Sequence, residues 1–171
     1  MAGHKVALAA ALLLPLAGCL DGPLSVDPPG TGGARNPDLP GLLLFATITK
    51  ADDGLRMDAT LSNDGTRTFQ ASSVCVSPWA THLKDDRGRT LTLQGPQVAC
   101  LAFGLAPIPP GAKLSHNWTW DGNVWDGDDG PRRAPPGLYM WHVTFDAYTG
   151  STMQEPGEAR TLSTGIQVRM G

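Results

Sequence analysis

The stretch Leu55-Arg56-Met57-Asp58-Ala59-Thr60-Leu61-Ser62-Asn63-Asp64-Gly65 decides how the rest of the chain is read. From 55 to 61 it alternates without a break. Leu55, Met57, Ala59 and Leu61 fall on one side, and charged or hydroxylated residues fall on the other. Successive side chains of an extended strand point to opposite faces, so a period of two marks a strand with one buried face. Asn63-Asp64-Gly65 closes it with residue types that suit a tight turn.

The same signal recurs outward in both directions. Residues 42–49 are apolar and β-branched and predict the strand before it. Further strands are predicted at 68–76, at 79–84 and, across an Asp85-Asp86-Arg87-Gly88 turn, at 89–93 as a hairpin partner. Another is predicted at 97–103, followed by a hard turn at 107–111. Residues 113–120 alternate again, with Leu114, His116, Trp118 and Trp120 on one face; 138–146 and 161–170 complete the set. Short strands punctuated by Gly, Pro and Asp predict an all-β fold, an antiparallel sandwich or barrel. The composition agrees: 21 glycines and 15 prolines in 171 residues leave little room for long helices. Residues 121–136, rich in Gly, Asp and Pro, read as a long surface loop.

The N-terminus has a different character. A short basic start, His4-Lys5, precedes an apolar run at 6–16 that is too short to span a bilayer. The run ends in Leu16-Ala17-Gly18-Cys19, which resembles the lipobox of bacterial and archaeal lipoproteins. The expected organisation is a signal peptide at 1–18, a lipidated Cys19 with a flexible tether to residue 40, and a single folded domain at 41–171. The expected location is the cell membrane or outer membrane, with the domain on the extracytoplasmic side. The formal net charge of −3 and the 17% of charged residues provide no clustered basic surface, which argues against nucleic acid as a partner and against a polybasic membrane patch.

Of the three cysteines, assigning Cys19 to lipid leaves Cys75 and Cys100, an even pair in a compartment that permits disulfides. A bridge between them would close a loop of about 25 residues and contribute roughly 3 kcal/mol on the loop-entropy account. Two buried thiols are the alternative, as is a tertiary cluster with His82 or His116.

From Leu55 onward the order of motifs resembles the BsuPI-type family of intracellular proteinase inhibitors, whose domains are Ig-like sandwiches. The motifs are Leu61-Ser62-Asn63-Asp64-Gly65, the turn from Asp85 to Gly88, Pro110-Gly111 before a long strand ending in Trp120-Asp121, and Pro136-Gly137-Leu138-Tyr139. The resemblance implies an Ig-like antiparallel β-sandwich and, as a function, proteinase inhibition. The chain departs from the family in its cysteine pair, its enlarged 121–136 loop and its export signal. The same motifs also have plain structural uses: turn geometry at Asn63-Asp64-Gly65, and a corner role for Tyr139 with its hydroxyl bonded to backbone.

No Gly-x-Ser-x-Gly elbow, zincin motif, Walker loop or dinucleotide fingerprint is present, so neither an enzyme nor a cofactor is expected. Asp121, Asn123, Asp126, Asp128 and Asp129 offer oxygen donors at short spacing, a weak calcium signal. An EF-hand pattern fails where Trp125 and Arg132 stand in its fifth and twelfth positions. Alternation turns Trp118, Trp120 and Trp141 inward as core. Trp125, on the turn-rich stretch, is the candidate for contact with a partner, an envelope protein or a protease, with a carbohydrate ligand as the alternative.

Overall fold

A computed structural model of the chain describes residues 24–25, 30–73, 77–93, 104–125, 130–150, 152 and 154–171. The fold is all-β, built from antiparallel sheets. Strand β1 is Leu24–Ser25, β2 Gly30–Ala34, β3 Leu42–Ala51, β4 Gly54–Asn63, β5 Phe69–Ser72, β6 Trp79–Asp85 and β7 Thr90–Leu91. Then come β8 Leu105–Ile108, β9 Lys113–Trp120, β10 Asn123–Trp125, β11 Pro131–Arg133, β12 Gly137–Tyr148 and β13 Ala159–Met170.

One sheet runs β2-β3-β4-β9. The other has β12 at its centre, with β13 and then β1 on one side. On its other side β6 pairs with residues 139–145 and β5 with 147–148, so two strands share one edge of β12. Strand β7 extends β6, and β8 extends β5. The period of two does the packing: Leu55, Met57, Ala59 and Leu61 from β4 face Tyr139, Trp141, Val143, Phe145 and Ala147 from β12 in one shared apolar core. Trp118, Trp120 and Trp141 lie in that core, as the alternation predicts.

The ends of the strands are held by specific polar contacts. Asn63 is fully buried; its Nδ2 donates to the carbonyls of Arg67 (2.7 Å) and Ile108 (2.9 Å), and its Oδ1 accepts from the amide of Gly65 (3.1 Å). The β6–β7 turn is held by Asp85, whose carboxylate accepts from the amides of Arg87 (3.0 Å) and Arg89 (2.8 Å) and from Arg89 Nε (2.7 Å). Gly88 completes that turn at φ 76°, a backbone region other residues rarely adopt.

Three stretches differ from expectation. Part of the segment expected to be a tether is structured: Gly30–Ala34 pairs with β3, Leu24–Ser25 pairs with β13, and Leu39 is fully buried. Glycine makes this possible. A Cβ at Gly32 would meet the Thr164 hydroxyl and Ile166 of the facing sheet, so only a bare backbone passes there. At Gly33 the ring of Phe45 lies over the missing side chain. A ladder built from backbone alone leaves no apolar periodicity to read.

The expected loop at 121–136 contains a two-stranded hairpin, β10–β11, with Val124 and Ala134 buried beneath it. An Asx turn at Asp121 starts it, and Val124 fills the core where the loop would have left a gap. The expected turn at 107–111 is a strand as far as Ile108, and the turn itself follows at Pro109-Pro110-Gly111. Pro107 is tolerated because, among the described residues, β8 pairs on one side only, with β5. The expected strand at 68–76 is described as 69–72, and the strand expected at 97–103 lies outside the described residues.

Candidate functional site

Of the residues singled out from sequence, Cys19, Cys75, Cys100, Asp126, Asp128 and Asp129 lie outside the described residues. Trp125, Asp121 and Asn123 lie within them, on one end of the molecule. The β10–β11 hairpin docks there against the β6–β7 hairpin through the pair Thr92 and Trp125. The Trp125 amide donates to the Thr92 carbonyl (2.9 Å), and Thr92 Oγ1 donates to the Trp125 carbonyl (3.2 Å). These bonds hold the backbone on both sides of the indole, which is itself half-buried.

Asp121 and Asn123 are occupied with each other. The Asp121 carboxylate accepts from the Asn123 amide (2.9 Å) and from Asn123 Nδ2 (2.7 Å), closing the turn that launches β10. Gly122, at φ 91°, lets the Arg133 side chain lie over the turn, where Nη1 donates to the Asp121 carbonyl (2.5 Å). A guanidinium at that distance opposes a divalent cation beside Asp121. Among the described residues no three His, Cys, Asp or Glu side chains come together to hold a metal ion.

At Arg132, which pairs with the residue before Trp125, the surface opens into a cleft of about 390 Å³ between the Asp85–Arg89 turn and the segment leading into β12. Asp86, Arg87, Arg89, Arg132, Pro135 and Tyr139 line it. Asp85 forms its floor, with a side chain only 8% exposed. Burial pushes that carboxyl up, but the hydrogen bonds from Arg89 and from the Arg87 amide outweigh it and hold the group below the usual carboxylate range. Because the folded-state value is depressed, the turn is supported at neutral pH and loses that support only as acid protonates Asp85.

Tyr139 closes the wall of the cleft. Its hydroxyl donates to the Pro135 carbonyl (2.6 Å), which is the corner role expected from the sequence. Burial raises its phenol, and Asp85 adds to this, so it remains a neutral donor. Tyr139→Phe removes this one bond and little else. It is expected to cost about 1 kcal/mol, read as a lower denaturant midpoint with an unchanged slope.

The arginine-lined cleft was not visible in the sequence. Arg87 read there as a turn residue and Arg89 as the first residue of a strand, and Arg132 lies more than forty positions away in β11. Only the hairpin docking brings them together. Two further surface features were missed for the same reason: Trp79 stacks on His116 across the sheets (centroids 6.2 Å, 21°), and His82 stacks on His142 (5.0 Å, 10°).

No protein-family model, curated protein or solved structure matches this chain. Among the described residues no helix is long and apolar enough to cross a membrane.

Proposed function

We propose that this chain is an exported lipoprotein, anchored through Cys19, whose domain is an Ig-like module that binds a polypeptide of the cell envelope. The strand order supports the Ig-like reading. Neighbours β7-β6-β12-β13 on one sheet and β3-β4-β9 on the other follow the C′-C-F-G and A-B-E order of that fold. Tyr139, at the start of the strand in the F position, makes the corner bond typical of such domains. The basic start, apolar run and Leu16-Ala17-Gly18-Cys19 support the anchor.

The observation that carries the binding reading is Trp125. A large amphipathic ring, half-exposed on a backbone already held by two hydrogen bonds, meets a partner with little further loss of conformational entropy. The neighbouring cleft adds cationic side chains that give such a contact polarity and orientation.

The test is capture from native membranes by the full-length protein, with Trp125→Ala and Cys19→Ala in parallel. The wild-type protein is expected in the membrane fraction, retaining one specific envelope protein. Trp125→Ala is expected to stay folded and membrane-bound while retention falls at least about tenfold, equivalent to roughly 1.4 kcal/mol. Cys19→Ala is expected to leave the membrane fraction with its fold intact. Retention that is equal in wild type and Trp125→Ala removes Trp125 from the interface, and membrane association that survives Cys19→Ala removes the lipid anchor. A captured protease that the wild-type domain inhibits stoichiometrically would identify the partner as the one implied by the family resemblance.

A further inference from the structure

The outward face of the sheet formed by β6, β12 and β13 carries a group of side chains remote in role from the Trp125 surface. His82 and His142 stand directly opposite each other on neighbouring strands, with their rings parallel to within 10° and their centroids 5.0 Å apart. Both are half-buried. Met140, two residues before His142 and so on the same face, is 37% exposed. On the far side of β12 the residue paired with His142 is Gly165. The space over that glycine is filled by its neighbours: a Cβ there would lie 2.9 Å from Met140 Cγ and 3.1 Å from His142 Nδ1. The thioether arm and the imidazole edge thus lean into one small gap, with the second imidazole stacked behind.

We propose that His82, His142 and Met140 form a binding site for one soft monovalent metal ion of the Cu(I) type. Two imidazoles and a thioether are the donors such an ion selects, whereas hard cations require oxygen. On this face Asp146, four residues beyond His142, has its carboxylate engaged by the Thr161 hydroxyl (2.5 Å). Among the described residues the face also carries Lys84 on β6 and Arg169 at the far end of β13. Lys84 sets the charge of the ion. Its ammonium, on the strand position directly opposite Met140, repels a divalent cation twice as strongly as a monovalent one.

Convergence on an ion requires the two rings to turn out of their parallel stack about χ2, a broad torsion for histidine. The backbone beneath is fixed by the full β12–β13 and β12–β6 ladders.

The test uses the full-length protein with its cysteine thiols alkylated, titrated with Cu(I) against a chromogenic Cu(I) chelator, with Ag(I) as a redox-inert probe and Zn(II) as the divalent comparison. The expected result is one Cu(I) or Ag(I) per chain, with Zn(II) bound more weakly. His82→Gln, His142→Gln and Met140→Leu are each expected to weaken Cu(I) by at least roughly tenfold, the scale on which even outer-shell changes act, with thermal midpoints near wild type in the absence of metal. Met140→Leu is further expected to abolish the preference for Cu(I) over Zn(II). The proposal is overturned if the His82→Gln/His142→Gln/Met140→Leu triple variant binds Cu(I) as tightly as wild type, or if Zn(II) binds more tightly than Cu(I) in the wild-type protein.

Discussion

Trp141→Ala is expected to lower the free energy of unfolding by about 3–5 kcal/mol, a large part of what a domain of this size possesses. The indole is fully buried on the central strand, β12. It meets Trp120 of the opposite sheet edge-on, with centroids 6.0 Å apart, and Trp120 in turn meets Tyr139 at 5.8 Å. Removing it therefore opens a cavity between the sheets rather than at their margin. Its Nε1 donates to Thr81 Oγ1 (2.7 Å), and that hydroxyl donates to the carbonyl of His142 (2.8 Å), so the loss also removes one hydrogen bond between the side chains of β12 and β6. Trp141→Phe keeps most of the apolar contact and loses the hydrogen bond, and is expected to cost about 1–3 kcal/mol. Denaturant unfolding of the three proteins measures both values. A cost below about 1 kcal/mol for the alanine variant would contradict the inward placement of β12.

Asn63→Ala is expected to cost about 2–4 kcal/mol although it removes only a carboxamide. The side chain joins three chain segments. Its donors serve the carbonyls of Arg67 and Ile108, and its acceptor serves the Gly65 amide, all at a fully buried position. Its backbone is also committed, donating to the Ala112 carbonyl (3.0 Å) and accepting from the Gly111 amide (2.8 Å). Truncation takes the Asn63 donors from two carbonyls and the acceptor from the Gly65 amide. Asn63→Asp is expected to be worse at neutral pH, since a buried carboxylate would face the same two carbonyls. That carboxyl would titrate above its unfolded-state value, so the deficit should shrink as pH falls and the protonated form regains one donor. Unfolding midpoints at pH 4 and pH 7 test the sign. The neighbouring Asp64 is exposed, and Asp64→Ala is expected to change stability by less than about 0.5 kcal/mol.

Local patterning of the chain specifies the all-β character, the long strands, the turn at Asp85–Gly88, the inward tryptophans and the corner bond of Tyr139. Each rests on local information. Alternation at 55–61 sorts side chains to two faces, and Asp and Gly bend a chain wherever the strands around them lie. The glycine-rich β2 lacked that information, because a strand that pairs by backbone under a crowded facing sheet shows no apolar period. Strand β8 was hidden by Pro107, which denies a central strand but not an edge. The β10–β11 hairpin was hidden by turn residues on both sides of a single buried valine, Val124.

Which distant residues meet follows from how the strands pair and pack. His82 and His142 are sixty positions apart and become neighbours because β6 and β12 pair in one register; a shift by one residue would turn one ring into the core. Arg87, Arg89 and Arg132 share a cleft because Thr92 and Trp125 dock two hairpins together. Periodicity tells a residue which face it occupies, whereas the partner across that face is set by pairing energy summed over whole strands, a quantity that no single stretch of sequence contains.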